Sequence, residues 1–455
     1  MASVEKFTMP RFIGLFLAVD AVLLGCVLLV TFIRPCSGPC QSGRAIEIAQ
    51  PAVLLVSLDG YRADYLDRYE PPVLLKIAGE GVRAESMTPG FPTKTFPNHY
   101  SIVTGLLPAN HGIVGNTIVD PEFDGRFSLG NRQEVRDGKW WGGEPIWVTV
   151  RKHGLKSAPF FWPGAEASIA GMRPDYWIRY DDRIPALERV SMVMDCLRLA
   201  ERPSFLSIYF SDVDTEGHRS GPFSKATEEV ISTVDGYLQA LEDSLAALGV
   251  LDDVNLVIVS DHGMTETSRE RVVILDDYID MNDVADSYGS PNAMIWPKDG
   301  RLDDLVAALG DVPHAEFFRS EEIPERYQFR GHRRIAPLVG IAEEGWYITT
   351  RSLFDRNPAY YDGGTHGYAQ NLPSMQALFV ARGPAFRRGV VVEPFSIVEV
   401  YNIIAAVLAV EPSPNDGNLD SVQHVFKPDW QVERRPRVAV AVGANDNDSP
   451  RTCSQ

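Results

Sequence analysis

Three short apolar runs, each ending close to an acidic residue, constrain the fold of this chain more than any other feature of its sequence. The runs are Ala52 to Leu58, Phe205 to Phe210 and Asn255 to Ser260. Each has the length and the branched or aromatic content of a buried β-strand. Asp59 and Asp261 follow the first and third runs directly, and Asp214 lies just beyond the second. Asp59 alone fits a helix cap equally well, but three such strands together indicate an α/β active site at one sheet edge.

Helical patterns alternate with these strands. Ala226 to Leu248 has an apolar face at helical spacing, and Gly249 ends it. Further elements are expected at Pro145 to His153 (helix), Gly345 to Thr349 and Met375 to Ala381 (strands), and Ser396 to Val410 (helix). The alternation predicts an α/β/α layered domain. Short strands and one short helix within residues 285–335 predict a small α+β insertion or cap.

The N-terminal region predicts a membrane anchor. Residues 12–33 are an apolar run long enough to cross a bilayer as a helix. We therefore expect a cytoplasmic segment 1–11, a transmembrane helix 12–33, a linker 34–50, a catalytic domain 51–426 and a polar tail 427–455. The catalytic domain would then be extracytoplasmic, either periplasmic or extracellular. A cleaved signal peptide is the alternative.

Charge and cysteine content exclude some classes of function. The net charge of −18 argues against a surface that coats nucleic acid, because such binding needs clustered Lys and Arg. Cys36 and Cys40 could form a disulfide, whereas Cys196 and Cys453 are isolated in the sequence. No disulfide framework or zinc-finger spacing is evident.

A proline-flanked threonine, Thr95, lies in the stretch FPTKTFPNHYSIVTG, Phe91 to Gly105. Pro92 and Pro97 fix φ on either side, so the stretch predicts a rigid turn that leads into a helix. The N-terminal amides of such a helix favour an anion. A threonine that attacks phosphorus must lose its hydroxyl proton, and no base is adjacent in the chain. We therefore expect a metal ion to activate Thr95.

This stretch, together with HGIVGN at His111 to Asn116, resembles the nucleophile motif of the nucleotide pyrophosphatase/phosphodiesterase family of the alkaline phosphatase superfamily. In that family the threonine of TFPN is the nucleophile, and two zinc ions are held by separated Asp and His residues. The resemblance covers most of residues 50–425. It implies an alkaline phosphatase-like α/β/α sandwich with a mostly parallel sheet, and hydrolysis of nucleotide phosphodiester or pyrophosphate bonds.

The resemblance also implies which residues hold the two Zn²⁺ ions. One ion would be bound by Asp59, Thr95, Asp261 and His262, and the other by Asp214, His218 and His366. The sequence itself predicts that Asp214 and His218 share a short glycine-bearing loop, and that His366 lies in a flexible loop, Gly363 to Tyr368. Thr95 would attack phosphorus in line, and water would then hydrolyse the phosphothreonine intermediate with net retention. The Asn116 amide and the Thr95 backbone N–H would bind a non-bridging oxygen.

Aromatic residues bear on the substrate, which should be a small phosphodiester and most simply a nucleotide. By resemblance, Phe96 and Tyr209 would sandwich a nucleobase. Strand statistics alone favour Tyr209 as a core residue. Residues 131–180 carry no chemistry that the sequence reveals, and His99 and His111 are expected to support the site rather than to bind metal.

Other members of the superfamily remain as alternatives. Some family members cleave choline phosphodiesters or, as lysophospholipases C, lysophospholipids, and a membrane anchor suits that activity. A phosphomonoesterase or phosphonate hydrolase matches less well, because no Arg accompanies the nucleophile and no third metal site is evident. The motif at Thr95 lacks the convertible Cys or Ser of a sulfatase. No protein partner is predicted.

Overall fold

A seven-stranded sheet forms the centre of the computed structural model, which describes residues 51–123, 125–430, 435–438 and 449–453. In chain order its strands are β1 (Ala52–Leu58), β2 (Val82–Ala84), β3 (Ser157–Pro159), β4 (Phe205–Phe210), β5 (Val254–Val259), β6 (Phe379–Arg382) and β7 (Val390–Val392). Their spatial order is β7-β2-β6-β5-β1-β4-β3. Only β6 is antiparallel to its neighbours, so the sheet is mixed although mostly parallel.

The sheet is buried on both faces because its side chains alternate between two separate cores. In β1, Val53 and Leu55 join one apolar cluster, whereas Leu54, Val56 and Leu58 join the other. All seven residues of β1 are buried, which explains the continuous apolar run in the sequence. The predicted α/β/α layering is therefore confirmed.

Seven helices provide the outer layers. They are α1 (Pro72–Glu80), α2 (Thr95–Thr104), α3 (Ile146–Lys152), α4 (Ala186–Leu197), α5 (Asp212–Ser220), α6 (Lys225–Ala247) and α7 (Glu399–Val407). Apolar residues of α2, α3 and α7 join the core on the Val53 side of the sheet. Those of α1, α4 and α6 join the core on the Leu54 side. Each of these helices therefore buries one apolar face against the sheet.

The expected α+β insertion is a second, smaller sheet. Four antiparallel strands lie in the order Val284–Tyr288, Asn292–Pro297, Leu338–Ala342 and Ala315–Arg319. One short helix, Leu302–Ala308, lies between the second and the last of these strands in the chain. The insertion has its own apolar cluster, which includes Ile295, Leu305 and Leu338. Other side chains of the same strands, Met294, Val339 and Ile341, join the core on the Val53 side of the main sheet, so the insertion is packed into the main domain.

Two predicted loops contain regular structure. Residues from Asp212 to Ser220 form α5, because the acidic residues Asp212 and Asp214 suit a first helical turn. Gly363–Thr365 is a short strand that pairs antiparallel with Thr265–Thr267. The first loop prediction was wrong, and the second was wrong for Gly363–Thr365 but not for His366 to Tyr368, which lie outside any helix or strand. Each prediction relied on glycines, and Gly364 here permits a close backbone approach to Gly217.

The strand expected at Met375 to Ala381 begins later. Residues Pro373–Met375 form a single 3-10 turn, and β6 starts at Phe379. A short helix also forms at Pro108–His111, and it ends at the first residue of the stretch HGIVGN.

The isolated positions of Cys196 and Cys453 in the sequence were misleading, because the structure joins them in a disulfide. Arg451 also forms a two-residue β-bridge with Trp177. These residues of the predicted tail are therefore fixed to the catalytic domain.

The predicted anchor, residues 12–33, lies outside the described residues, as do segment 1–11, the linker 34–50, Cys36 and Cys40. Within the described part of the chain, no helix has both the length and the apolar character needed to cross a bilayer.

Candidate active site

The first predicted metal group comes together at the carboxyl edge of the sheet. Asp59 follows β1 and Asp261 lies just after β5, and the two strands are parallel neighbours, so their ends emerge side by side. One ligand atom from each of Asp59, Asp261 and His262 lies within 4.8 Å of the other two. Thr95 is the first residue of α2, and its Oγ1 lies 3.4 Å from His262 Nε2. All four residues that were predicted to share one ion are therefore adjacent.

The second predicted group lies next to the first. Asp214 and His218 are one helical turn apart on α5, so their side chains project from the same face. Asp214 Oδ1 lies 3.5 Å from Nε2 of His218 and 3.6 Å from Nε2 of His366. The rings of His262 and His366 stack with their centroids 3.5 Å apart. The two groups therefore form one continuous cluster.

Three carboxylate oxygens of this cluster are buried: Asp59 Oδ1, Asp214 Oδ1 and Asp261 Oδ2. The first two have no hydrogen-bond partner among the described residues, whereas Asp261 Oδ2 lies 2.9 Å from His262 Nε2 and 3.1 Å from His99 Nδ1. Burial, and then the negative charges of Asp261 and Asp214, raise the pKa of Asp59 well above its usual value. A buried anion without a partner is costly, so a cation bound here would stabilise the charged form of Asp59.

The histidines of the cluster all present the same nitrogen to these oxygens. Nδ1 of His218, His262 and His366 lies within hydrogen-bond distance of a backbone carbonyl. The carbonyls are those of Gly364 (2.8 Å), Gly263 (2.8 Å) and Thr93 (2.7 Å), respectively. Because a carbonyl can only accept, each Nδ1 carries the hydrogen and each Nε2 keeps a lone pair. This is the arrangement that orients a histidine for metal coordination.

The donor set therefore fits metal ions of the type that the resemblance implies. Zn²⁺ takes histidine nitrogen and aspartate oxygen, and catalytic zinc sites commonly have three protein ligands and an open position. Asp59, Asp261 and His262 supply one such set, and the other is Asp214, His218 and His366.

Tyr209 has a contact that the sequence did not indicate. Its hydroxyl donates a hydrogen bond of 2.6 Å to Asp59 Oδ2, the carboxylate oxygen that faces away from His262. Its ring packs edge-on against His99 and Tyr180. Tyr209 therefore orients a predicted metal ligand, in addition to lining the cavity described below. Strand alternation could not reveal this, because it gives the side of the sheet but not the polar partner.

His99 lies next to the cluster, and it contacts the backbone of Thr95 and the side chain of Ser57. Its Nδ1 lies 2.9 Å from the Thr95 carbonyl oxygen, and its Nε2 lies 2.7 Å from Ser57 Oγ. Asp261 Oδ2 is also 3.1 Å from Nδ1. Both ring nitrogens thus have protein partners, so His99 has no free lone pair for an ion.

Asn116 reaches the start of α2. Its Oδ1 accepts a hydrogen bond of 3.0 Å from the Phe96 backbone N–H. Since a backbone N–H can only donate, this contact fixes the orientation of the amide and leaves its nitrogen to donate elsewhere. The backbone N–H of Thr95 belongs to the first turn of α2, where amides lack a carbonyl partner within the helix. Two donors are thus available beside Thr95 Oγ1.

A cavity of about 470 Å³ opens on one side of Thr95. Its lining includes five aromatic side chains: Phe96, Phe161, Trp162, Tyr180 and Tyr209. Three of the five come from residues 131–180, to which the sequence assigned no chemistry. Only the tertiary fold brings this segment to Thr95, so no local sequence signal could have identified it.

Most charges in this aromatic cavity are paired. Glu166 forms an ion pair with Arg132 and also accepts a hydrogen bond of 3.0 Å from the Tyr180 backbone N–H. Asp181 and Arg183 pair at 2.7 Å. The cavity is therefore suited to a flat, largely neutral group.

A second cavity, of about 530 Å³, is lined in part by Asn116 and shares Leu129 with the first. Its lining includes Lys94, Arg356, Tyr288 and Tyr360 and contains no acidic residue among those described. Burial lowers the pKa of Lys94 to about 7, although the Asp214 carboxylate opposes that shift, so Arg356 carries the permanent charge. In a chain with a net charge of −18, an acid-free cavity with two basic residues favours an anionic group.

Comparison with known proteins gives a consistent result. A family model described as type I phosphodiesterase/nucleotide pyrophosphatase matches residues 53–369. Human ectonucleotide pyrophosphatase/phosphodiesterase family member 1 is 36% identical over 419 residues, which are 89% of this chain and 45% of that protein. The chain thus spans less than half the length of that relative. Mouse bis(5'-adenosyl)-triphosphatase enpp4 is 35% identical over 406 residues, covering 88% of this chain and 87% of that protein.

Solved structures agree with the fold described above. Murine ectonucleotide pyrophosphatase/phosphodiesterase 5, solved as an inactive Thr-to-Ala variant in complex with AMP, matches with a TM-score of 0.79 and 35% identity. The match covers 83% of this chain and 100% of that one. These relatives are named as nucleotide pyrophosphatases and phosphodiesterases, which are hydrolases. The chain therefore belongs to the type I phosphodiesterase/nucleotide pyrophosphatase family.

Proposed function

We propose that this chain is a zinc-dependent phosphodiesterase and pyrophosphatase that hydrolyses nucleotide phosphodiester or pyrophosphate bonds through a phosphothreonine intermediate. One observation carries the proposal: three buried carboxylate oxygens, two of them without a hydrogen-bond partner among the described residues, and three oriented histidine Nε2 atoms cluster beside Thr95 Oγ1. The names of the relatives support it, since one is a bis(5'-adenosyl)-triphosphatase and a structural neighbour binds AMP.

Two metal sites would serve this chemistry. Asp59, Asp261 and His262 with Thr95 would hold one Zn²⁺, and the other would be held by Asp214, His218 and His366. When bound, the two ions would lower the pKa of the Thr95 hydroxyl and stabilise negative charge on the attacking and leaving oxygens. Tyr209 and the backbone carbonyls behind the histidines would keep the ligands oriented.

Thr95 is the nucleophile in the proposed reaction. Its deprotonated Oγ1 attacks phosphorus in line, and the bond from phosphorus to the leaving oxygen breaks as the new ester forms. Water then attacks the phosphothreonine, releases the nucleoside monophosphate and returns a proton to Thr95. Two displacements give net retention at phosphorus. The Asn116 amide and the Thr95 backbone N–H would donate to a non-bridging oxygen throughout.

The two cavities suggest how a nucleotide would lie across Thr95. The aromatic cavity beside Phe96 and Tyr180 would receive the base, because stacking requires only a π-face. The cavity with Lys94 and Arg356 would receive the leaving group with its phosphate charges. A nucleoside triphosphate or a dinucleoside polyphosphate has this distribution of aromatic and anionic groups.

Hydrolysis of choline phosphodiesters is the second candidate. The aromatic cavity also contains acidic residues, which together with aromatic rings would suit a quaternary ammonium group. The pairing of Glu166 with Arg132 and of Asp181 with Arg183 weakens this option, because it neutralises two of the three acids.

We also propose an extracytoplasmic location with a membrane anchor at residues 12–33. The Cys196–Cys453 disulfide supports the location, because disulfides persist mainly in oxidising compartments.

A comparison of two chromogenic diesters tests the proposed function. The zinc-loaded full-length chain would be assayed with the nitrophenyl esters of thymidine monophosphate and of phosphocholine. We expect kcat/KM to favour the nucleotide by about fivefold to 150-fold, because this is the gain in binding expected from stacking one base on an aromatic side chain. Tyr180→Ala should remove most of that preference, and Thr95→Ala should abolish both activities. A preference for phosphocholine would contradict the nucleotide assignment while leaving the metal chemistry intact.

A further inference from the structure

The C-terminal residues return to the catalytic domain beside the aromatic cavity. Cys453 is bonded to Cys196 near the end of α4, and both side chains are buried. Arg451 exchanges two backbone hydrogen bonds with Trp177, each of 2.9 Å. We call residues 449–453 the terminal strap. It is held covalently at one point and by a β-bridge at another.

The strap contacts the wall of the aromatic cavity. Residues 177–183 form this wall, and four of them, Tyr180 to Arg183, line the cavity directly. The wall contains neither a helix nor a strand of a sheet, and its only β-type pairing among the described residues is that of Trp177 with Arg451. A segment without regular structure depends on such individual contacts for its position.

Tyr180 lines two cavities, one on each side of the wall. A third cavity, of about 610 Å³, lies behind it and is lined by Tyr180, Ile178, Phe160, Thr452 and Cys453. The aromatic cavity lies in front. Tyr180 packs against the core on the Leu54 side and edge-on against Phe161 and Tyr209, and its backbone N–H bonds Glu166. The strap holds the same wall three residues away, at Trp177, and its residues Thr452 and Cys453 line the cavity behind Tyr180.

We propose that the terminal strap, fixed by the Cys196–Cys453 disulfide, is a positioning device that sets the stacking surface of Tyr180 and thereby the affinity for the nucleoside part of the substrate. This inference rests on the proposed nucleotide function. The predicted metal ligands lie elsewhere, at the ends of β1 and β5, on α5 and at His366. Loss of the strap should therefore weaken substrate binding without changing the chemical step.

The test uses the double variant Cys196→Ser/Cys453→Ser of the zinc-loaded full chain, with reduced wild-type protein as a second sample should the variant fold poorly. KM and kcat would be measured with the nitrophenyl ester of thymidine monophosphate and with bis(4-nitrophenyl) phosphate, which lacks a nucleoside. Hydrogen exchange of amides 177–183 and zinc content would be measured on the same samples.

We expect the KM for the nucleotide ester to rise about fivefold, which is the lower end of the loss in affinity expected when one base loses its stacking contact. The kcat values, the KM for the simple diester and the zinc content should stay unchanged, and amides 177–183 should exchange faster. An unchanged nucleotide KM, with or without faster exchange, would overturn the proposal. An equal loss on both substrates would also overturn it, since that indicates general destabilisation. If the wild-type protein cleaves only the simple diester, the nucleotide function fails, and the exchange data alone decide whether the strap holds the wall.

Discussion

The two carboxylate oxygens of Asp59 have different surroundings. Oδ2 accepts the hydrogen bond from the Tyr209 hydroxyl at 2.6 Å. Oδ1 faces His262 Nε2 at 3.6 Å and has no hydrogen-bond partner among the described residues. One oxygen is thus anchored by the protein while the other is left for an ion. The position of Asp59 after a buried strand predicted the acid, but its partner on β4 is far away in the chain.

Tyr209→Phe tests the role of that hydrogen bond. The variant keeps the aromatic ring but removes the hydroxyl that orients Asp59. We expect zinc affinity to fall about tenfold to 100-fold, the usual effect of losing such a supporting partner. Zinc titration against a competing chelator would measure it, with kcat/KM as a second readout.

Tyr100→Phe is the matched control for this variant. The Tyr100 hydroxyl is buried and has no hydrogen-bond partner in the described part of the chain, so its removal should leave zinc affinity unchanged. If Tyr209 acts only by stacking, Tyr209→Phe will bind zinc like the wild type. That result would contradict the proposal that the Tyr209 hydroxyl orients Asp59 for the metal ion.

At the scale of elements, the second metal group depends on the close approach of α5 to the turn after β1. Gly60 lies in that turn with φ of +66°, and a Cβ at this position would come 2.9 Å from Asp214 Cα and Cβ. The sequence predicted Asp214 and His218 as a pair but placed them on a loop. A helix fixes their spacing at one turn, which a loop would not.

Gly60→Ala should therefore displace Asp214. We expect the left-handed backbone to cost about 1–2 kcal/mol of folding free energy and the Cβ contact to reduce zinc occupancy and activity further. Thermal unfolding and metal analysis would measure the two effects.

Gly79→Ala is the corresponding control, because Gly79 lies in α1 and a Cβ added there would meet no described atom within 4 Å. This change should raise stability by about 0.5–1 kcal/mol and leave activity unaltered. Equal zinc occupancy in both variants would refute the steric argument for Gly60.

At the scale of the whole molecule, the sequence predicted the layers and the bounds of the most strongly apolar elements. Buried strands such as Ala52–Leu58 and Phe205–Phe210 were predicted residue for residue, because continuous apolar runs leave little ambiguity. The helix α6 was predicted to within one residue at each end. A continuous apolar run was therefore enough to predict these buried strands, and helical periodicity was enough to predict the bounds of α6.

What could not be predicted depends on contacts between distant residues. The Cys196–Cys453 disulfide spans 257 residues, and no local pattern pairs two single cysteines at that distance. The aromatic cavity likewise combines Phe96 with Tyr180, which lie in different parts of the chain. The antiparallel strand β6 has the same apolar character as its parallel neighbours, so direction could not be inferred from it.

Covalent attachment of Thr95 to the substrate phosphorus is the central step of the proposed function. Zinc-loaded full-length protein would be mixed with the nitrophenyl ester of thymidine monophosphate, quenched in acid during turnover, and digested for mass spectrometry. We predict a thymidine monophosphate adduct on the peptide that contains Thr95, and in Thr95→Ala no adduct and a loss of kcat of at least about a thousandfold. Full turnover by Thr95→Ala, or an adduct on another residue, would contradict this mechanism.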